Sequence, residues 1–156
     1  MNPCPCGYLG DASGRCRCSP DKIQRYRQRI SGPLLDRIDL HVEVPRLPPR
    51  ELQGVPGEAS HRVRTRVCAA RAVQLQRQGE CNARLSGGDL DRHCHLQPSE
   101  QNLLRHALER LNLSARAYHR ILRVARTIAD LDEAECIAAQ HLSEAMGYRN
   151  LDRPVL

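Results

Sequence analysis

Cys4, Cys6, Cys16 and Cys18 follow the pattern C-x-C-x9-C-x-C, with Gly7, Gly10 and Gly14 between the two pairs. Four thiolates so spaced can gather round one tetrahedral zinc ion, and the intervening glycines permit the sharp turns that closure needs. The gaps differ from the usual C-x2-C, whose extra residue lets backbone N–H groups reach the sulfurs. Zinc is preferred even so; free thiols in a reducing compartment are the alternative. His93, Cys94 and His95, with Cys81 upstream, resemble a second cluster. Neighbours on a helix project about 100° apart and cannot all face one ion, so these read as ordinary, partly buried side chains. Ser114 lies near His119 and Asp130 in sequence, yet no nucleophile elbow surrounds it and a helix-capping role is enough.

Arg37 carries a different kind of chemistry. Gly32-Pro33 restarts the backbone after a helix, and Leu34 and Leu35 can anchor a short turn. Ile38, Leu40, Val42 and Val44 then alternate with Asp39, His41 and Glu43 at the period of a strand. Arg37 is thereby held between two fixed elements, a position from which a guanidinium can meet a phosphate. The alternative is a surface pair with Asp36, Asp39 or Glu43.

The positioning elements are mostly helical. Ser19-Pro20-Asp21 starts a helix over residues 20–30, with Ser19 as N-cap. One face of the strand at 38–44 is polar, which suits the edge of a sheet. Pro45, Pro48, Pro49, Gly54, Pro56 and Gly57 crowd the next segment into an extended loop. A helix over 59–77 is expected to turn Ala59, Val63, Val67, Ala70 and Val73 inward and Arg64 and Arg71 outward, ending at Gly79. Residues 80–97 read as a loop with one short helix. Pro98 opens a helix with Leu103, Leu104, Ala107, Leu108 and Leu111 on one face; Ser114 caps the next, which buries Tyr118, Ile121, Leu122, Ala125 and Ile128. A last helix is expected over 134–146. The fold class is mostly α with a small α/β remnant, divided as residues 1–44, a linker at 45–57, and a helical domain at 58–156.

The chain has 156 residues and a net charge of +6, with Lys22 its sole lysine and neither Trp nor Phe. Base-stacking platforms are therefore scarce, and contact with a polyanion must rest on arginine. An arginine-rich solvated surface is the plainer reading of the same charge. No apolar run approaches membrane-spanning length, and the first residues have neither a basic leader nor an apolar core, so a cytoplasmic protein without a membrane partner is expected.

Three segments carry a family resemblance. Residues 29–44 resemble the arginine-finger region of magnesium-chelatase-like AAA+ ATPases, most of all the ComM-type members. Met1-Asn2-Pro3-Cys4-Pro5-Cys6-Gly7 resembles their sensor 1 turn, and residues 113–131, with Ser114-Ala115-Arg116-Ala117-Tyr118-His119, resemble their sensor 2 helix. The resemblance implies that Arg37 is an arginine finger acting in trans, that Asn2 is sensor 1 and orients the attacking water or reports the γ-phosphate, and that Arg116 is sensor 2. It also implies ATP and Mg2+ as cofactors of the full-length protein, a homo-oligomeric ring, and DNA as the partner in branch migration. The Walker A loop, G-x-x-x-x-G-K-[ST], and the Walker B acid are missing from this sequence, since Gly87-Gly88 leads into Asp89 and Leu90. The chain accordingly reads as the C-terminal part of such an ATPase, the end of the core plus a helical lid, inactive alone. A magnesium-chelatase motor subunit of tetrapyrrole synthesis and a stand-alone zinc-containing nucleic-acid-binding module are the other two readings.

Overall fold

The computed structural model describes residues 1–11, 13–45, 47, 54, 57–111 and 113–149. The chain divides into two compact units, Met1–Ile38 with Glu43–Gln53, and Asp39–Val42 with Gly54–Leu156. Among the described residues all regular structure is helical.

The first unit opens with a chain of tight turns. The N–H groups of Gly7, Asp11 and Gly14 donate to the carbonyls of Cys4, Tyr8 and Asp11 at 3.0, 3.1 and 3.2 Å. Gly7, Gly10 and Gly14 have φ of 80°, 81° and 63°, a left-handed backbone that side-chain-bearing residues adopt at a cost, and this lets the loop double back. Helix α1 (Pro20–Arg27) begins as expected, with Ser19 Oγ accepting from the Lys22 N–H at 3.4 Å and Pro20 in the first turn. It stops short of residue 30 because the last amides, Arg29 and Ile30, bond three residues back to Tyr26 and Arg27, tightening the end into a turn. Helix α2 (Gly32–Leu35) follows, and Arg37 N–H closes on the Leu34 carbonyl at 3.0 Å.

The strand expected at 38–44 is not formed. A strand needs a neighbour to pair its backbone, and none exists among the described residues. Instead, within the second unit, His41 N–H donates to the Tyr148 carbonyl at 2.7 Å and Asp39 pairs with Arg120. The alternating apolar residues stay exposed, from 37% at Ile38 to 84% at Val44. The β part of the expected α/β remnant is thus overturned. Of the expected linker at 45–57, only residues 45, 47, 54 and 57 fall within the described residues.

The second unit is a helical bundle: α3 (Ser60–Gln78), a 3-10 turn (Asn82–Arg84), α4 (Gly87–His93), α5 (Pro98–Leu111), α6 (Ala115–Leu131) and α7 (Ala139–Gly147). Helix α6 is its axis, packed by α3, the 3-10 turn, α4 and α7. Ser114 Oγ caps α6 by accepting from the Ala117 N–H at 3.2 Å. Leu85, Leu90, Leu96, Leu104, Ile121, Leu122, Ile137 and Leu142 form the core, each side chain contributing about 1.5–3 kcal/mol on burial. Ala117, Ala125 and Ala129 are fully enclosed, small enough for neighbours to approach the helix closely. No helix among the described residues is long and apolar enough to cross a membrane.

Two helical expectations need correction. The stripe assigned to the inner face of α3 is largely outside: Ala70 is buried, but Val63, Val67 and Val73 are 38%, 51% and 47% exposed. Burial on this helix starts at Ala70 and Gln74, so its N-terminal turns extend past the packed part of the bundle. Helix α7 starts at Ala139, not 134, because the Arg126 guanidinium takes the carbonyls of Ala134 and Glu135 at 2.6 and 2.8 Å. Those acceptors are thereby held in a loop, and Ile137 reaches the core from it.

Candidate functional site

The four N-terminal cysteines converge. Their sulfurs lie within 4.8 Å of one another, with Cys4–Cys6, Cys4–Cys16 and Cys6–Cys16 separations of 3.3, 3.8 and 3.7 Å. These are free thiols, much farther apart than the roughly 2.05 Å of a disulfide. With Zn–S bonds of about 2.3 Å, the edge of a tetrahedral site is about 3.8 Å, so the donors fit such an ion with little movement.

Electrostatics point the same way. Burial pushes the Cys4 thiol up, but hydrogen bonds from the Cys6 thiol, the Leu9 backbone, the Cys16 thiol and the Cys6 backbone bring it down to about 6. Cys16 receives the Cys18 backbone N–H, yet burial, its bonds to Cys6 and Cys4, and the Cys4 charge raise it to about 11. Cys18 is raised as well, with the Cys6 amide outweighed by thiol bonds, burial and the Cys4 charge. One thiolate forms readily and the next are held back by like charge; a divalent cation is what allows all four to ionise. Backbone amides do reach these sulfurs despite the C-x-C gaps. The turn at Gly7 brings the Leu9 amide back toward Cys4, a contact that pair spacing alone does not reveal.

Arg37 is exposed just beyond α2, and its Nη1 donates to the Pro33 carbonyl at 3.0 Å. Among the described residues it enters no ion pair; the Asp39 carboxylate considered for it goes to Arg120. Asn2 is also exposed, with its amide beside Gly7, where an added Cβ would lie 3.5 Å from Nδ2. Arg116 lies in the first turn of α6, in the other unit. The arginines along α6 differ in their surroundings: Arg120 is tied to Asp39 and Arg123 Nη1 to the Leu85 carbonyl at 2.9 Å, while Arg116 stays exposed. His93, Cys94 and His95 do not gather: Cys94 is in the core, its thiol pushed up to about 11 chiefly by burial, whereas His95 is exposed.

Sequence reasoning missed a buried polar centre on α6. Asp130 accepts from Arg77 Nη1 and Nη2 at 2.6 and 3.0 Å, from Asn82 Nδ2 at 2.8 Å and from Arg126 Nε at 3.0 Å. Asn82 is held in turn by the Gln74 side chain, which accepts its N–H at 3.1 Å, and by Thr127. Burial works against the Asp130 charge, but hydrogen bonds from Arg77 and Asn82 and the two guanidinium charges lower its pKa overall. This centre fastens α3 and the 3-10 turn to α6, the helix that carries Arg116.

Known proteins align with both units. The family model described as "Magnesium chelatase, subunit ChlI C-terminal" matches residues 57–149, and that described as "Magnesium chelatase, subunit ChlI" matches residues 1–52. Competence protein ComM of Haemophilus influenzae is 47% identical over 155 residues, covering 98% of this chain and 30% of its own length. Uncharacterized protein YifB of Escherichia coli is 46% identical over 156 residues, with the same coverage of each. Uncharacterized protein Rv2897c of Mycobacterium tuberculosis is 36% identical over 152 residues, covering 95% of this chain and 30% of its own. The chain thus spans under a third of the length of these relatives. Matched by one model over its first part and by the other over its helical bundle, the chain belongs to the magnesium chelatase subunit ChlI family.

Proposed function

We propose that this chain is the arginine-finger and lid portion of a ring-forming AAA+ ATPase of the family, whose ATP hydrolysis drives DNA remodelling by branch migration. The observation that carries this reading is Arg37: an exposed guanidinium on a short helical turn, bonded to a carbonyl and to no described carboxylate. Phosphoryl transfer needs little covalent help from a protein, and its catalysis is mostly positioning and charge. Arg37 then enters the neighbouring subunit's site and meets the charge that builds on the transferring phosphoryl group. Arg116 meets phosphates from the lid, and its exposure beside the tethered Arg120 and Arg123 supports that role. Asn2 orients the attacking water, for which its amide can both donate and accept.

ATP and Mg2+ belong to the full-length protein, because this chain's sequence has no Walker A loop. One structural zinc on Cys4, Cys6, Cys16 and Cys18 completes the cofactors. Identity of 47% to a protein named for competence favours DNA work. The second reading, the motor subunit of magnesium insertion, is favoured by the descriptions of the matching family models.

The test is the Arg37→Ala change in the full-length ATPase. Turnover is expected to fall by on the order of a thousandfold with nucleotide affinity nearly unchanged. Turnover within a few-fold of the parent would remove Arg37 from the chemistry.

A further inference from the structure

Among the described residues of the first unit, Cys4 is the only buried one, and neither α1 nor α2 buries a side chain. With no apolar core among its described residues, a unit of this size lacks the burial needed to offset its ordering entropy, and units of this kind are held by a disulfide or a metal. Its cysteines are free thiols.

The thiol cluster touches both ends of α1. Cys18 immediately precedes Ser19, the N-cap, and from the last turn Arg27 Nε donates to the Pro3 carbonyl, beside Cys4, at 3.2 Å. Past α1 the chain makes one turn into α2 and reaches Arg37. The flanking Arg15 and Arg17 bring positive charge to a tetrathiolate site, which keeps a net charge of about −2 around a dication.

We propose that one Zn2+, bound by the thiolates of Cys4, Cys6, Cys16 and Cys18, is the core of this unit, so that residues 1–38 are ordered, and Arg37 is presented, only when the metal is bound. In the binding step each thiol still protonated loses its S–H bond and passes its proton to solvent, four S–Zn bonds form as the ion gives up its water ligands, and no electron moves. The inference rests on the zinc reading of the thiols and not on the ATPase reading.

The test uses the 156-residue chain, stripped with a chelator under reducing conditions and then titrated with Co2+ or Zn2+. One equivalent is expected to bind, Co2+ giving the visible absorption of a tetrahedral tetrathiolate that Zn2+ then removes. Zn2+ is expected to slow hydrogen exchange across residues 4–28 by on the order of tenfold or more, with residues 115–131 unchanged. Cys4→Ser should abolish uptake and give the exchange pattern of the stripped chain. Cys136→Ser, at an exposed cysteine outside the cluster, should behave as the parent. Absence of uptake overturns the site, and uptake without slowing at 4–28 overturns its role as a core. No arm involves nucleotide, so a full-length ATPase indifferent to Arg37 would sink the functional reading and leave this one standing.

Discussion

Asp130 brings a full negative charge to a place with no solvent exposure of its side chain, and Arg77 and Arg126 surround it. Removing one partner from such a buried set leaves the others uncompensated, so Asp130→Asn is expected to destabilise the bundle by about 3–5 kcal/mol, read from the urea midpoint. Because folding lowers the pKa of Asp130, its contribution is complete above its unfolded value of about 4 and is lost as pH falls through the lower folded value. Between pH 5 and pH 2 (roughly), the parent should therefore lose stability more steeply than Asp130→Asn. The partners Arg77 and Asn82 lie 53 and 48 residues away in sequence, and nothing local marks them. The four cysteines, by contrast, were legible as a cluster from type and spacing, though the backbone amides that reach their sulfurs were not.

At the scale of elements, what local chemistry decides was readable. The Ser19 and Ser114 caps and the left-handed Gly79 that ends α3 each act within a few residues. What depends on a partner was not. The alternation from Ile38 to Val44 has a strand's period but pairs with no strand among the described residues. The Val63, Val67 and Val73 positions have a helix's period, but the bundle does not cover them. Periodicity states which faces differ, whereas packing decides which face is covered. Val67→Ser is accordingly expected to change the thermal unfolding free energy by no more than about 0.5 kcal/mol. Leu104→Ala, at a fully buried position in the same unit, should cost about 2–5 kcal/mol. Equal costs would put Val67 back inside the core.

For the molecule as a whole, family membership was legible in three motifs, at residues 1–7, 29–44 and 113–131. The division of labour follows from what those motifs lack. With no phosphate-cradling loop or its lysine in the sequence, the chain alone is expected to show no micromolar ATP affinity in calorimetry and no turnover above a buffer blank. The central claim is that Arg37 completes a neighbour's active site, and mixed rings test it most directly. Full-length subunits carrying Arg37→Ala are combined with full-length subunits whose Walker A lysine is replaced, each form inactive by itself. A site made of the first subunit's cradle and the second's Arg37 is whole, so the mixture is predicted to regain ATP hydrolysis in proportion to such mixed interfaces. Mixed rings that assemble, as seen by co-purification, yet hydrolyse no more ATP than either parent would contradict it.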